Sequence, residues 1–95
     1  MAEVSWDWQA LASVVDLDEA KPGAAAVIMG AAEVLATHPL IGRSVERGYR
    51  ELVIGSGDYV ALYRYKEEND VVFMLSVKHA HQAGYPVKVK PESTG

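Results

Sequence analysis

The side chains able to do chemistry gather in the second half of the chain. Arg50, Arg64 and Lys78 fall on three successive β-rich runs, and Lys78, His79, His81 and Tyr85 crowd the end of the last one. Brought together, three cations make a patch for nucleic acid or for an acidic protein surface. The two histidines share a face if the strand continues past them, which permits acid–base work near neutral pH. Ordinary alternatives stand beside each reading. Arg64 can pair with Glu67 or Asp70 across a hairpin, Arg50 with neighbours of Glu51, His79 with a backbone carbonyl, and Tyr85 can plug the base of the sheet. His79-x-His81 also has the spacing of a metal pair, but no carboxylate or third nitrogen follows nearby, so no metal is assigned. The chain has no phosphate loop, no Gly-x-Ser-x-Gly and no dinucleotide fingerprint, so no cofactor is assigned either.

The elements that must position these groups are read from breakers and periodicity. Gly55-Ser-Gly-Asp58 and Glu67-Glu-Asn-Asp70 separate Arg50–Ile54, Tyr59–Tyr65 and Val71–Lys78, which reads as a three-stranded antiparallel meander. In the second run Val60, Leu62 and Arg64 oppose Tyr59, Ala61, Tyr63 and Tyr65. That tyrosine stripe could stack bases in an RNA binder, but it is read as the face under the helices. The third run is apolar on both faces, Phe73, Leu75 and Val77 against Val72, Met74 and Ser76, as in a strand covered from both sides. Upstream, Val4, Trp6 and Trp8 alternate as in a short edge strand tied down by tryptophan packing. Asp7 or Ser5 is placed to cap a helix beginning near Trp8.

Lys21-Pro22-Gly23 breaks the chain. Ala24–Thr37 then has apolar residues at three- and four-residue spacings, predicting a helix ended by His38-Pro39. Gly30 inside it is expected to mark close approach of helix to sheet. Leu40–Tyr49 reads as a connector carrying Arg43 and Arg47, which with His79 are candidates for partner binding. Pro86–Pro91 alternates like one further short strand, and residues 91–95 read as a frayed end of a single 1–95 domain.

Ninety-five residues, nearly half of them apolar, suit one domain with a modest core. The absence of cysteine excludes disulfides and thiolate metal sites. No stretch is long and apolar enough to span a membrane, and the N-terminus lacks a basic and apolar leader, so cytoplasm is the default. A net charge of −4 argues against tight non-specific nucleic-acid binding. The charge is uneven, however. Residues 1–42 set six acidic side chains against Lys21 alone, and residues 43–90 set eight basic against six acidic.

The succession His38-Pro39-Leu-Ile-Gly42-Arg43, Tyr49-Arg50-Glu51-Leu52-Val53, Tyr59-Val-Ala-Leu-Tyr-Arg-Tyr65, Val77-Lys78-His79 and Gln82-Ala-Gly-Tyr85 resembles the RelE/ParE superfamily, and more its ParE branch. These are the toxins of bacterial type II toxin–antitoxin pairs, also called plasmid-stabilisation proteins. The resemblance covers residues 24 to 85. It implies an α+β fold, with an N-terminal strand and helices packed on a small twisted antiparallel sheet. It also implies a cognate antitoxin that wraps the toxin, and DNA gyrase as the inhibited target. A RelE-like member would instead be a ribosome-dependent mRNA endonuclease, with Arg50, Arg64, Lys78, His81 and Tyr85 as its catalytic set. A degenerate, non-toxic antitoxin binder is a third reading, and both a homodimer and a toxin–antitoxin hetero-oligomer stay open. Two departures bear on the choice. Trp6–Pro22 is about two turns shorter than the family's first helix, and His81 stands where many relatives carry arginine, a poorer phosphate fork.

Overall fold

The structure, a computed structural model, describes residues 1–85. The strand expected at Pro86–Pro91 and the frayed end at 91–95 lie outside them. Strand β1 (Glu3–Trp6) leads into α1 (Trp8–Ala20), α2 (Ala24–Ala32) and the short α3 (Val34–Thr37). Strands β2 (Arg43–Ser44), β3 (Arg50–Ile54), β4 (Tyr59–Lys66) and β5 (Val71–His79) complete one sheet, in the order β1-β5-β4-β3-β2.

Asp7 starts α1, its carboxylate accepting from the Gln9 amide at 3.0 Å. The helix runs through the β-branched pair Val14-Val15, because Ala10, Ser13 and Val14 are buried against neighbours and packing outweighs propensity. Asp18 reaches across the Lys21-Pro22-Gly23 turn and accepts from the Gly23 and Ala25 amides, both at 3.0 Å. It thereby caps α2, whose own N-cap, Gly23, has no side chain to offer. The expected single helix over 24–37 is interrupted at Glu33, where the Ala36 amide bonds the Glu33 carbonyl in a tighter i−3 turn. His38 caps the end, as expected.

The meander forms as expected, its hairpin turns carried by positive φ at Gly55, Gly57 and Asp70. One pairing runs the other way: β1 lies parallel to β5, so the sheet is mixed at that edge. The helices carry the chain from β1 to β2 at the far edge, and the meander returns it to β5, so the parallel pair is joined by a long connection.

The core lies between the helices and one sheet face. Ile28, Leu35, Ile54, Ala61, Tyr63, Val72, Met74 and Val77 are all buried there. The tyrosine stripe is core for Tyr59 and Tyr63 and half-buried at Tyr65. Among the described residues no α-helix covers the opposite face. Phe73 and Leu75 are therefore only half-buried, and β5 is covered on one side, not two. Trp6 packs on the core, but Trp8, the first residue of α1, is 72 % exposed, so only one tryptophan ties the N-terminus down.

Two further expectations are corrected. Gly30 meets nothing within 4 Å of a built Cβ, so it marks no close approach. The crowded glycine is Gly42, where a Cβ would lie 2.6 Å from the Glu51 carbonyl oxygen and 2.7 Å from the Tyr63 ring and hydroxyl. Tyr63 holds this turn by accepting from the Gly42 amide at 2.9 Å and donating to the Pro39 carbonyl at 2.8 Å.

Candidate functional site

Register decides which polar groups meet. Along β4 and β5, Tyr59 pairs with His79 and Ala61 with Val77, then Leu62 with Ser76, but Tyr63 with Met74. Leu75 is an extra residue at this shift, a β-bulge. It reverses the alternation of β5. Val77 joins Val72 and Met74 in the core, whereas Lys78 turns to the open face beside Val60. Strict alternation would have put Lys78 on the Met74 side and His79 opposite.

The three cations of the expected patch consequently divide. Arg50 pairs with Tyr63 on the helix-covered side, and its guanidinium donates to the Gly42 carbonyl at 2.7 Å and to Leu40 at 3.4 Å. It braces the same turn as Tyr63 and does not join Arg64 and Lys78. Arg64 lies on the open face, 4.7 Å from the Tyr49 ring centre, donating to the Arg47 carbonyl at 2.9 Å. Its partner is therefore neither Glu67 nor Asp70. Tyr65 takes Asp70 instead, at 2.6 Å.

The best-connected cluster centres on Glu51. Arg43, opposite it on β2, reaches Glu51 Oε1 through Nε at 3.0 Å and Nη2 at 2.6 Å. Tyr85 donates to Glu51 Oε2 at 2.7 Å, closing a contact across 34 residues. Lys78 Nζ sits 5.0 Å from the Tyr85 ring centre and donates to the Gln82 carbonyl at 3.0 Å. Burial pushes the Glu51 carboxyl upward, but the hydrogen bonds from Tyr85 and Arg43 and the charges of Arg43 and Lys78 outweigh it. The net position is below the usual carboxylate value. Burial first, and then the Glu51 carboxylate, raise the Tyr85 phenol well above the usual tyrosine value. It is a hydrogen-bond donor at any physiological pH, not a base.

His79 meets Tyr59 edge-on at 5.7 Å and lies 5.1 Å from the His81 ring, its Nδ1 accepting from the His81 amide at 3.2 Å. The strand ends at His79, so a turn, not strand alternation, brings the two imidazoles together. Among the described residues no group of three metal-ligating side chains converges. Arg47 is exposed, with φ +64°, and contributes its carbonyl to Arg64.

Two adjoining clefts run over the open face. One, about 530 Å³, is lined by Trp8, Tyr49, Arg64, Lys66, Phe73 and Leu75 among others. The second, about 550 Å³, has Val45, Tyr49, Glu51, Leu62 and Tyr85 in its wall, and Tyr49 stands between the two. Glu51 was absent from the site expected from the sequence. Its one signal there is its place between Arg50 and Leu52, which alternation sends to the opposite face from both.

Among curated proteins none matches the sequence significantly. Solved structures do. The chain is similar to the RelBE2 toxin–antitoxin complex of Mycobacterium tuberculosis, at 28 % identity and TM-score 0.65, over 82 % of this chain and 96 % of that one. It has the fold of a chain in the intact E. coli RelBE toxin–antitoxin complex, with TM-score 0.70 at 19 % identity over 86 % and 100 %. It likewise has the fold seen in the chromosomal ParDE system of P. aeruginosa, with TM-score 0.67 at 20 % identity over 85 % and 98 %. The family model described as the ParE toxin of the type II toxin–antitoxin system parDE matches residues 4–84. With nearly the whole described chain inside that match, the protein belongs to the ParE toxin family of type II toxin–antitoxin systems.

Proposed function

We propose that this chain is a toxin that acts by protein contact, inhibiting DNA gyrase, and that a cognate antitoxin neutralises it. The gyrase target is what the ParE resemblance implies. The observation carrying the choice of contact over RNA cleavage is the state of Tyr85. A nuclease of the RelE kind would need its cations and its phenol free around a phosphate. Here Tyr85 donates to Glu51, Arg43 is paired to the same carboxylate, and Arg50 faces away beneath Gly42. A carboxylate in the middle of the cations repels a phosphodiester, and Tyr85 is held as a donor to it.

Support for a protein partner comes from the helical layer. Trp8, Leu11 and Val15 form an exposed apolar stripe on α1 at three- and four-residue spacing. A stripe of that kind suits an antitoxin segment, and two of the similar structures are toxin–antitoxin complexes by description. Covering ~600 Å² of apolar surface yields on the order of 15 kcal/mol gross, much of it offset by ordering the partner.

The test is purified chain in two assays run side by side. Gyrase supercoiling should be inhibited and restored by antitoxin, with mRNA on ribosomes intact. Cleaved transcripts with unaffected supercoiling would reverse the assignment to the RelE-like nuclease. Silence in both assays, with harmless overexpression, would mark a non-toxic antitoxin binder.

A further inference from the structure

We propose that Glu51 is the resident occupant of an anion-binding site built from Arg43, Lys78 and Tyr85, whose external ligand is a carboxylate on an acidic, otherwise apolar peptide segment. The inference rests on the protein-contact reading above and names the chemistry of the contact.

Three parts of the chain meet around one carboxylate: Arg43 of β2 and Tyr85 of the returning segment bond it, and Lys78 of β5 stands over the Tyr85 ring and adds its charge without touching Glu51. Two cations face one anion, so the cluster keeps positive excess with Glu51 in place. Lys78 Nζ has a carbonyl for its hydrogen-bond partner. The sole ion pair among the described residues is Arg43–Glu51. Glu51 is sequestered, its side chain 14 % exposed, whereas Arg43 is 74 % exposed and within reach of an incoming group. Rotation of the Glu51 side chain would free a guanidinium fork and a phenol already spaced for a carboxylate. Glu51 thus acts as an internal competitor: it keeps the donors arranged and sets the strength an outside carboxylate must exceed.

The surroundings favour a peptide over nucleic acid. Val45, Leu62 and Tyr49 line the adjoining cleft and offer apolar contact. Glu46 and Arg47 share that wall and offset one another, so the cleft offers one carboxylate-sized subsite beside apolar contacts, not the row of cations that a polyphosphate needs.

The test uses the full chain and two probes, an N-acetylated peptide of alternating leucine and glutamate and a single-stranded oligonucleotide, titrated by calorimetry. Glu51→Gln, checked for folding by circular dichroism, should bind the peptide about tenfold more tightly than wild type, or ~1.4 kcal/mol. Adding Arg43→Gln should erase the gain, and the oligonucleotide should show none. A folded Glu51→Gln without gain, a gain that survives loss of Arg43, or a gain for the oligonucleotide alone overturns the proposal. If Glu51→Gln does not fold, the wild type decides. Peptide at millimolar concentration should move the Tyr85 ring and Arg43 Nε resonances, and fixed resonances overturn the proposal. Neither readout involves gyrase, so a failed supercoiling assay and a failed titration are separate results.

Discussion

The two faces of the sheet are built on different physics. Under the helices, Tyr63, Met74, Val72 and Ile54 are closed off from water, and the polar groups present are satisfied by backbone: Tyr63 and Arg50 both serve the Pro39–Gly42 turn. On the open face the partners are of both kinds: Arg43 and Tyr85 meet on the Glu51 side chain, while Arg64 and Lys78 donate to the Arg47 and Gln82 carbonyls. The same residue type therefore does unlike work on the two sides. Arg50 is a brace and Arg64 a half-buried cation over a ring, though the sequence presents them as equivalents.

The sharpest way to break this contrast is at Gly42. Gly42→Ala forces a methyl group against the Glu51 carbonyl and the Tyr63 ring, and backbone cannot yield as a side chain can. Destabilisation on the order of 3 kcal/mol is expected, measurable as a fall of the melting midpoint by more than about 10 °C. Tyr63→Phe leaves the Gly42 amide without its acceptor and the Pro39 carbonyl without its donor, for a loss of about 1–3 kcal/mol in urea unfolding. Ser76 is fully buried at the bulge, and its hydroxyl has no hydrogen-bond partner among the described residues. Ser76→Ala should accordingly stabilise the chain by about 1 kcal/mol, and a lowered urea midpoint would show that the hydroxyl is satisfied after all. The smallest effect concerns acid. Because the folded state holds the Glu51 carboxyl below its ordinary value, its contribution is complete above pH ~4.5 and disappears as pH falls through the folded value. Wild type should lose more stability between pH 6 and pH 3 than Glu51→Gln does, and parallel losses would mean that the carboxylate contributes nothing there.

The fold was largely legible because its signals are local. Gly55-Ser-Gly-Asp58 and Glu67–Asp70 announce turns by composition alone, and Tyr59-x-Ala-x-Tyr63 alternates cleanly toward the core. Asp7 as a helix cap was visible for the same reason. The site was much less legible. Whether Arg43 meets Glu51 depends on a two-residue strand hidden in an arginine-rich connector, and whether Tyr85 meets either depends on a turn beyond the last strand. Neither carries a periodicity. The bulge was invisible in a run apolar on both faces, since Leu75 out of phase looks no different from Leu75 in phase.

Leu75 has a consequence for how such a chain can change. The surplus residue is absorbed where it stands, so the pairs beyond it, Ala61 with Val77 and Val60 with Lys78, are the ones a strand one residue shorter would make. Deleting Leu75 would close the ladder and leave Lys78 outward and His79 inward. A lineage could thus gain or lose a single codon at this point with both the interior and the equipment at the strand's tip kept in place.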